Sequence, residues 1–482
     1  MNLKEKCGQN GSLVERNKPH LGEEHQEQEK AVASAGAEVY VKQETNGKQE
    51  VPSKSLNRYT WQEIQRHNQK ADQWLVINRK VYDVTGWADR HPGGRQVLTH
   101  YAGEDATDVF RAVHPELDVV QLYLKPLLIG ELAPGEPSQE RNKNSELVKD
   151  FQELRKTLET MKMFDANLGF FFLHLAHILI LEVLAWLTVY QFGSGWCVTI
   201  FIALLLTISQ VQSGFLQHDA GHLSIFKKSK WNHLLHKFVI CHLQGLSGNW
   251  WNCMHFQHHV KTNTYPKDPD IKLGPLFVVG DLQPVKYGKK KIKYIDYEKQ
   301  HLYFYMVVLP FLIPAYLNQK SFQMMYLRRD WGDIAWVSSF YIRHFITFGP
   351  FYGIFGTLLL IYLVKFLGSP WFTCVIMMNH IPMKISIEEN RDWLSTQVLA
   401  TSNVEQSFFN DWFTGHANFH IEHHLFPTMP RHNFHKVAPL VRSLCAKHGL
   451  QYVNKPLLKA IGDIVRSLKK SGALWKDAYY ET

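Results

Sequence analysis

Long apolar runs alternate with polar blocks along this chain. Leu168 to Phe192 and Trp196 to Leu216 each supply about the 20 apolar residues that cross a bilayer. The Gly193-Ser194-Gly195 break between them predicts an antiparallel helix pair whose two flanks lie on one side of the membrane. Further apolar stretches cover Leu302 to Leu317, Ile334 to Phe348 and Tyr352 to Leu367. Arg343 and His344 make the middle stretch a poor membrane centre. The expected crossings are therefore about 302–319 and 345–367, with Ile334 to Arg343 in the interface. Trp231 to Trp251 is apolar but carries Asn232, His233, His236, Lys237 and His242, which fits an interfacial or partly inserted helix. Upstream the pattern shortens: Trp74 to Ile77 and Lys80 to Val84 read as strands, and Leu147 to Met163 as a helix.

Composition adds the surroundings. Residues 1–55 are rich in Glu, Gln, Lys, Asn and Gly, with little to bury, and are expected to form a disordered tail without a cleaved signal peptide. The net charge of +9 comes largely from basic runs beside apolar segments, such as Lys227, Lys228, Lys230 and Lys237, and Lys289, Lys290, Lys291 and Lys293. That placement indicates a membrane surface rather than nucleic acid, and assigns the lysine-rich side to the cytosol. Six cysteines without paired spacing point to neither a disulfide framework nor a zinc ribbon.

Histidines carry the candidate chemistry. His420, His423 and His424 stand at i, i+3 and i+4, so a helix places three imidazoles on one face. His255, His258 and His259 repeat the spacing, and His218 and His222 form a pair one turn apart. These eight imidazoles exceed what one tetrahedral zinc can use, so two ions are the economical reading. Nitrogen-rich sites with open positions suit oxygen-activating iron, although imidazole also suits zinc, copper and nickel. For the third cluster to meet the other two, an even number of crossings must separate His259 from His420. Asp219 and Glu422 lie inside the clusters as candidate ligands or, more commonly, as carboxylates that fix an imidazole tautomer. His233, His236, His242 and His416 are equally well read as hydrogen-bonded histidines, and His432 and His435 are placed away from the metal.

A second histidine pair lies near the N-terminus. His91, in His-Pro-Gly-Gly, and His114, in Val-His-Pro, sit among Leu98, Tyr101, Ala102, Phe110 and Leu124. Two such imidazoles can clamp a haem iron from both sides, which makes an electron carrier. A loop histidine and a capping histidine in an ordinary small domain is the competing reading. No Gly-x-Gly-x-x-Gly fingerprint opens a strand-to-helix unit, so a nucleotide-derived electron must come from another protein.

Trp74 to Trp87, His91-Pro-Gly-Gly, Tyr101-Ala-Gly-Glu-Asp-Ala-Thr and His114-Pro resemble a cytochrome b5 domain. Together with the three histidine boxes, the span from about Tyr59 to Tyr479 resembles the cytochrome b5-fused front-end fatty acid desaturases, of the vertebrate delta-6 type. The resemblance implies a mixed fold: a small α+β haem domain at 56–133, a linker at 134–146, and an all-α membrane desaturase domain at 147–482. The latter would have about four transmembrane helices and a cytosolic, histidine-rich di-iron cap. The polar, proline-containing linker predicts a haem domain tethered with some freedom. The implied cofactors are haem b, held by His91 and His114, and two non-haem irons. The implied iron ligands are His218, His222, His255, His258, His259, His420, His423 and His424, with His380 as a ninth by analogy with stearoyl-type enzymes. The implied reaction uses O2 and NADH-derived electrons, relayed by an external cytochrome b5 reductase, to desaturate polyunsaturated acyl-CoA in the endoplasmic reticulum membrane, with both termini cytosolic. Alternatives are a front-end enzyme of delta-5, delta-8 or delta-4 selectivity, a sphingolipid desaturase, a fatty acid hydroxylase, or a silent lipid-binding homologue. One departure stands out: front-end enzymes usually carry Gln where this chain has His420, which puts regioselectivity and rate in question.

Overall fold

A computed structural model describes residues 56–140, 143–387 and 391–481. The tail expected over residues 1–55 lies outside them. The N-terminal unit is built on a five-stranded sheet, in the order β1 (Asn57–Tyr59), β5 (Leu128–Leu132), β4 (Lys80–Asp83), β3 (Asp72–Ile77), β2 (Asn68–Gln69). The two strands expected from sequence form its centre as an antiparallel pair with Leu75 opposite Tyr82 and Val76 opposite Val81. β1 runs parallel to β5 so closely that a Cβ on Gly130 would lie 2.4 Å from the Asn57 carbonyl oxygen.

Alternation along the strands separates two apolar faces. One buries Val76, Val81 and Leu132 with Trp61 and Ile64. The other carries Leu75 and Ile77 into a core with Val97, Tyr101, Val109 and Ala112, and that core continues without a break into Phe151, Leu394, Phe419, Ile421 and Phe426 of the C-terminal unit. The haem-type domain is therefore docked rather than loosely tethered. Part of the linker is pinned as well: Arg79 donates to the carbonyls of Ala133 and Glu136, and Trp61 Nε1 donates to that of Pro137. Those main-chain acceptors are invisible to a composition argument, which is why the linker reads as freer than it is.

His100 lies buried in the docked surface, where its carbonyl accepts from Lys267 Nζ at 2.9 Å. Burial, with Lys267, Lys261 and Lys272 nearby, pushes its imidazole down to about 3. An unfolded chain protonates this group near pH 6.5. Its stabilising contribution is thus complete above about pH 6.5 and is lost toward pH 3 at roughly 1.4 kcal/mol per pH unit. Thermal melts of His100→Asn should fall less steeply than wild type between pH 7 and pH 5; parallel slopes would refute the assignment.

Among the described residues, four helices are long and apolar enough to cross a membrane: Leu168–Phe192, Trp196–Gly221, Tyr297–Arg328 and Gly349–Met377. Asn167 caps the first by accepting from the Phe170 amide, and Gly193, at φ 74°, turns the chain into the second. The hairpin packs through Ala185, Val189, Ile202 and Ala203, against which the fourth helix lays Leu360 and Val364. The third helix ends beside the second histidine box, where Ser321 Oγ accepts from the Ser247 amide at 2.7 Å. Ile334 to Arg343 belongs to a further helix, Trp331–Thr347, and the Arg343 guanidinium pairs with Glu182 in the middle of the first apolar helix. That ion pair satisfies an arginine that hydropathy alone assigns to the interface. Trp231 to Trp251 folds as Ser229–Lys237, a π turn at Phe238–Leu243 and the start of Gly248–Val260.

Candidate metal and haem centres

Three helices and one helix end bring the histidine boxes together. His218 and His222 stand at the C-terminal end of Trp196–Gly221, His255, His258 and His259 on Gly248–Val260, and His420, His423 and His424 on the buried helix His420–Leu425. His380 follows the C-terminal end of the fourth apolar helix. These nine imidazoles divide into two abutting groups. His218, His222, His255, His259 and His423 offer ring nitrogens within 4.8 Å of one another, and so do His258, His380 and His424. His420 joins the second group, its Nε2 lying 2.9 Å from His380 Nε2.

The spacing suits shared ions. Within the first group, neighbouring Nε2 atoms are 3.1 Å apart for His218 and His255, 2.9 Å for His222 and His255, and 3.1 Å for His259 and His423. Nitrogens bound to one ion at about 2.1 Å stand roughly 3 Å apart. His424 Nε2 is buried without a hydrogen-bond partner, which is the state of a donor atom reserved for an ion. Burial first, and then the neighbouring imidazoles, hold His255, His259, His380, His420, His423 and His424 well below the usual imidazole range. Neutral rings with available lone pairs are what a metal requires.

The partners that orient these rings are largely unexpected. Asp268 accepts from His258 Nδ1 at 2.9 Å and from the Asn263 and Asp270 amides at 2.7 and 2.8 Å. Burial opposes a charge on His258, but Asp268 and Asp270 outweigh it and raise this ring to about 9, so His258 has to release its Nε2 proton when an ion binds. His380 Nδ1 donates to the Ala400 carbonyl at 3.0 Å, and His424 Nδ1 lies 3.0 Å from Gln397 Oε1. Each contact leaves Nε2 to face the group. Asp219 and Glu422 bond elsewhere than to these rings: Asp219 pairs with Arg431 at 3.2 Å, and Glu422 accepts from Asn403 and from Tyr452. Adjacency in sequence misled here, because a helix directs neighbouring residues to different faces. The Asp-Pro-Asp turn soon after the second box was a usable signal; Gln397, remote in sequence, had none. Asp268→Asn should weaken metal retention in the second group about 10- to 100-fold. Iron content after dialysis against graded chelator measures this, and wild-type retention would exclude the role.

Four of the other candidate histidines have partners of their own among the described residues. His236 bonds Gln217 Oε1 at 2.9 Å, His242 meets Ser339, His416 packs on Phe170, and His432 Nε2 accepts from the Asn167 amide. In the N-terminal unit the His91 and His114 rings lie next to each other, with centroids 6.2 Å apart. Two imidazoles bonded at about 2 Å to one iron have centroids roughly 6 Å apart, so this pair fits a haem clamped from both sides. His114 Nδ1 is held by the Phe110 carbonyl at 2.9 Å, which directs Nε2 inward.

Comparison with known proteins agrees with this geometry. The fatty acid desaturase family matches residues 194–456, and the cytochrome b5-like heme/steroid binding domain matches residues 60–133. The chain is 72% identical over 487 residues to the Mus musculus fatty acid desaturase 2-like protein FADS2B, covering all of both chains. It is also 72% identical over 486 residues to a fatty acid desaturase 2-like sequence from Homo sapiens, again covering all of both. Cytochrome b5 of Ostreococcus tauri virus 2, a solved structure, is 37% identical over 15% of this chain and 94% of its own, with a TM-score of 0.15. With histidine boxes converging on one site and a haem-type histidine pair in the domain docked beside them, the chain belongs to the fatty acid desaturase family, in the form that carries an N-terminal cytochrome b5-like domain.

Proposed function

We propose that this protein is a front-end desaturase, which places a cis double bond between an existing one and the carboxyl end of a polyunsaturated acyl-CoA, at the delta-6 position. The observation that carries the reading is the pair of imidazole groups, five and four strong, built from all three boxes and His380. When bound, the paired irons supply oxygen activation and the haem supplies single electrons. Overall, two hydrogens leave the chain, and with two electrons and two protons they reduce O2 to two waters. The side chains have defined tasks in this scheme. His258, His380 and His424 present Nε2 because Asp268, Ala400 and Gln397 engage their other nitrogen. Trp251 stacks on His255 at 4.3 Å and keeps that ring from turning away. His91 and His114 would hold the haem, with electrons arriving from NADH through a separate b5 reductase. The endoplasmic reticulum, with both termini cytosolic, is the proposed setting, consistent with four apolar helices and the lysine-rich loops.

His420 stands within reach of the second group, where front-end enzymes usually carry glutamine, and it adds an imidazole there rather than removing a donor. Expression in a yeast without polyunsaturated fatty acids, fed linoleic and alpha-linolenic acids and their elongated products, should yield a new bond at the sixth carbon. His424→Ala should yield none. A bond elsewhere would correct the regiochemistry, and a hydroxylated product would replace desaturation with hydroxylation. Unchanged iron content in His420→Ala and His423→Ala would remove the basis of the reading.

A further inference from the structure

A short helix ahead of the third box reaches down to the membrane-spanning helices. It covers Phe408–Thr414 and is capped by Ser407, whose Oγ accepts from the Asn410 amide at 3.0 Å. Its residues divide between two faces, with Phe408, Phe409, Trp412 and Phe413 on one and Asn410, Asp411 and Thr414 on the other. The apolar face starts from the fourth apolar helix and runs outward. Trp371, in the last two turns of Gly349–Met377, stacks on Phe413 at 5.1 Å, and Phe413 stacks on Phe409 at 5.3 Å. The outer end of this face is uncovered: Phe408 is 92% exposed, Phe409 55% and Trp412 37%. The carbonyls at the C-terminal end of the helix, which ordinarily turn to water, are instead taken by side chains. Gln212 Nε2 donates to that of Trp412 at 3.0 Å, Trp371 Nε1 to that of Phe413 at 2.6 Å, and Arg431 to that of Gly415 at 3.0 Å. Gln212 belongs to Trp196–Gly221, and His416 packs on Phe170 in the first turn of Leu168–Phe192, so three of the four apolar helices meet this segment. Main-chain carbonyls satisfied by side chains, beside a bare aromatic face, are what a helix needs in lipid, where water is absent.

We infer that Phe408–Thr414 is a lipid anchor, which lies in the membrane interface with Phe408, Phe409 and Trp412 among phospholipid acyl chains and holds the third box at that level. Its aromatic face continues the surface of the fourth helix through Trp371, while the exposed Glu405, Gln406 and Ser407 at its start are left to headgroups and water. The helix leads to the box through two residues of positive φ, Gly415 at 58° and His416 at 66°, and then Ala417–Phe419, so only a tight turn separates the anchor from His420. A Cβ on Gly415 would collide with the Phe215 ring, on the helix that carries His218 and His222. Trp371 stands on the helix that precedes His380. The anchor is therefore gripped by the elements that bear the first box and His380, and it fixes the third box against them. It does not depend on which reaction the site performs.

The test uses the full-length protein in phosphatidylcholine nanodiscs. With Phe408 replaced by a photoreactive diazirine phenylalanine, irradiation should attach phosphatidylcholine at this position, read as a mass shift of the peptide that contains it. The same analogue at Phe355, 74% exposed on the fourth helix, sets the reference lipid yield. Adducts of water, of another segment of this chain or of a second copy in place of lipid would overturn the inference. Because Phe408 touches so little protein, a polar replacement there acts through the surroundings alone. Phe408→Ser should therefore speed amide hydrogen exchange across Phe408–Thr414 about tenfold, whereas Phe408→Leu should stay near wild type. Equal exchange in the two variants would overturn the anchoring. Neither measurement needs iron or turnover, so a failure here is distinct from a failure of the desaturase reading.

Discussion

Arg431→Met is expected to strip iron from the five-imidazole group and to destabilise the protein by about 3–5 kcal/mol. Arg431 is 4% exposed and ties together segments far apart in the chain. Its guanidinium pairs with Asp219 at 3.2 Å, donates to the Gly415 carbonyl at 3.0 Å and contacts the His174 ring. Asp219 lies between His218 and His222, so removing its partner leaves a buried carboxylate uncompensated inside the first box. A buried ion pair adds little over an apolar replacement of both partners, but breaking one side is costly. Arg431→Lys should lose less, because it keeps the charge but not the planar fork that serves Asp219 and Gly415 together. Thermal melting and iron content measure both effects, and wild-type values in Arg431→Met would show that Asp219 needs no counter-charge.

Gly221→Ala is the second change with a large expected effect. A Cβ on Gly221 would stand 2.3 Å from a ring carbon of Trp251. Trp251 is stacked on His255 and lies against His218 and His222, with ring centroids 4.3, 5.7 and 5.8 Å away. The added methyl has to displace a rigid ring, and that ring displaces a candidate ligand. The cost should be about 3 kcal/mol, at the upper end for overpacking, with iron lost from the same group. Adding Trp251→Leu should restore part of the iron by making room. If the double variant holds no more iron than Gly221→Ala, the clash is not what matters at this glycine.

These residues show where sequence reasoning reached and where it stopped. The boxes were legible because a ligand face on a helix is a local pattern: i, i+3 and i+4 put imidazoles side by side whatever the rest of the chain does. The first apolar hairpin was legible for the same reason, since bilayer thickness sets a run length that can be counted. The His91 and His114 pair was recognisable through its flanking Pro and Gly residues. The division of the candidate ligands was not legible. His255 and His259 serve one group and His258 the other, and His423 and His424 divide in the same way. Local spacing makes such neighbours look like a single unit, and only the approach of the other helices separates them.

Second contacts were read least well. Asp219 and Glu422 had position in their favour but bond Arg431, Asn403 and Tyr452, whereas Asp268, Gln397 and the Ala400 carbonyl orient the rings. Hydrogen-bond partners follow from side-chain direction, which the packing of separate segments decides. By itself, the sequence determined the apolar helices, the imidazole-bearing faces and the haem-type loop, because each depends on residues within one or two turns of one another. The tertiary structure decided which imidazoles share a group, which carboxylate supports them and that the haem domain docks through Glu104 and Lys261, because those contacts join different segments of the chain and depend on how whole elements pack.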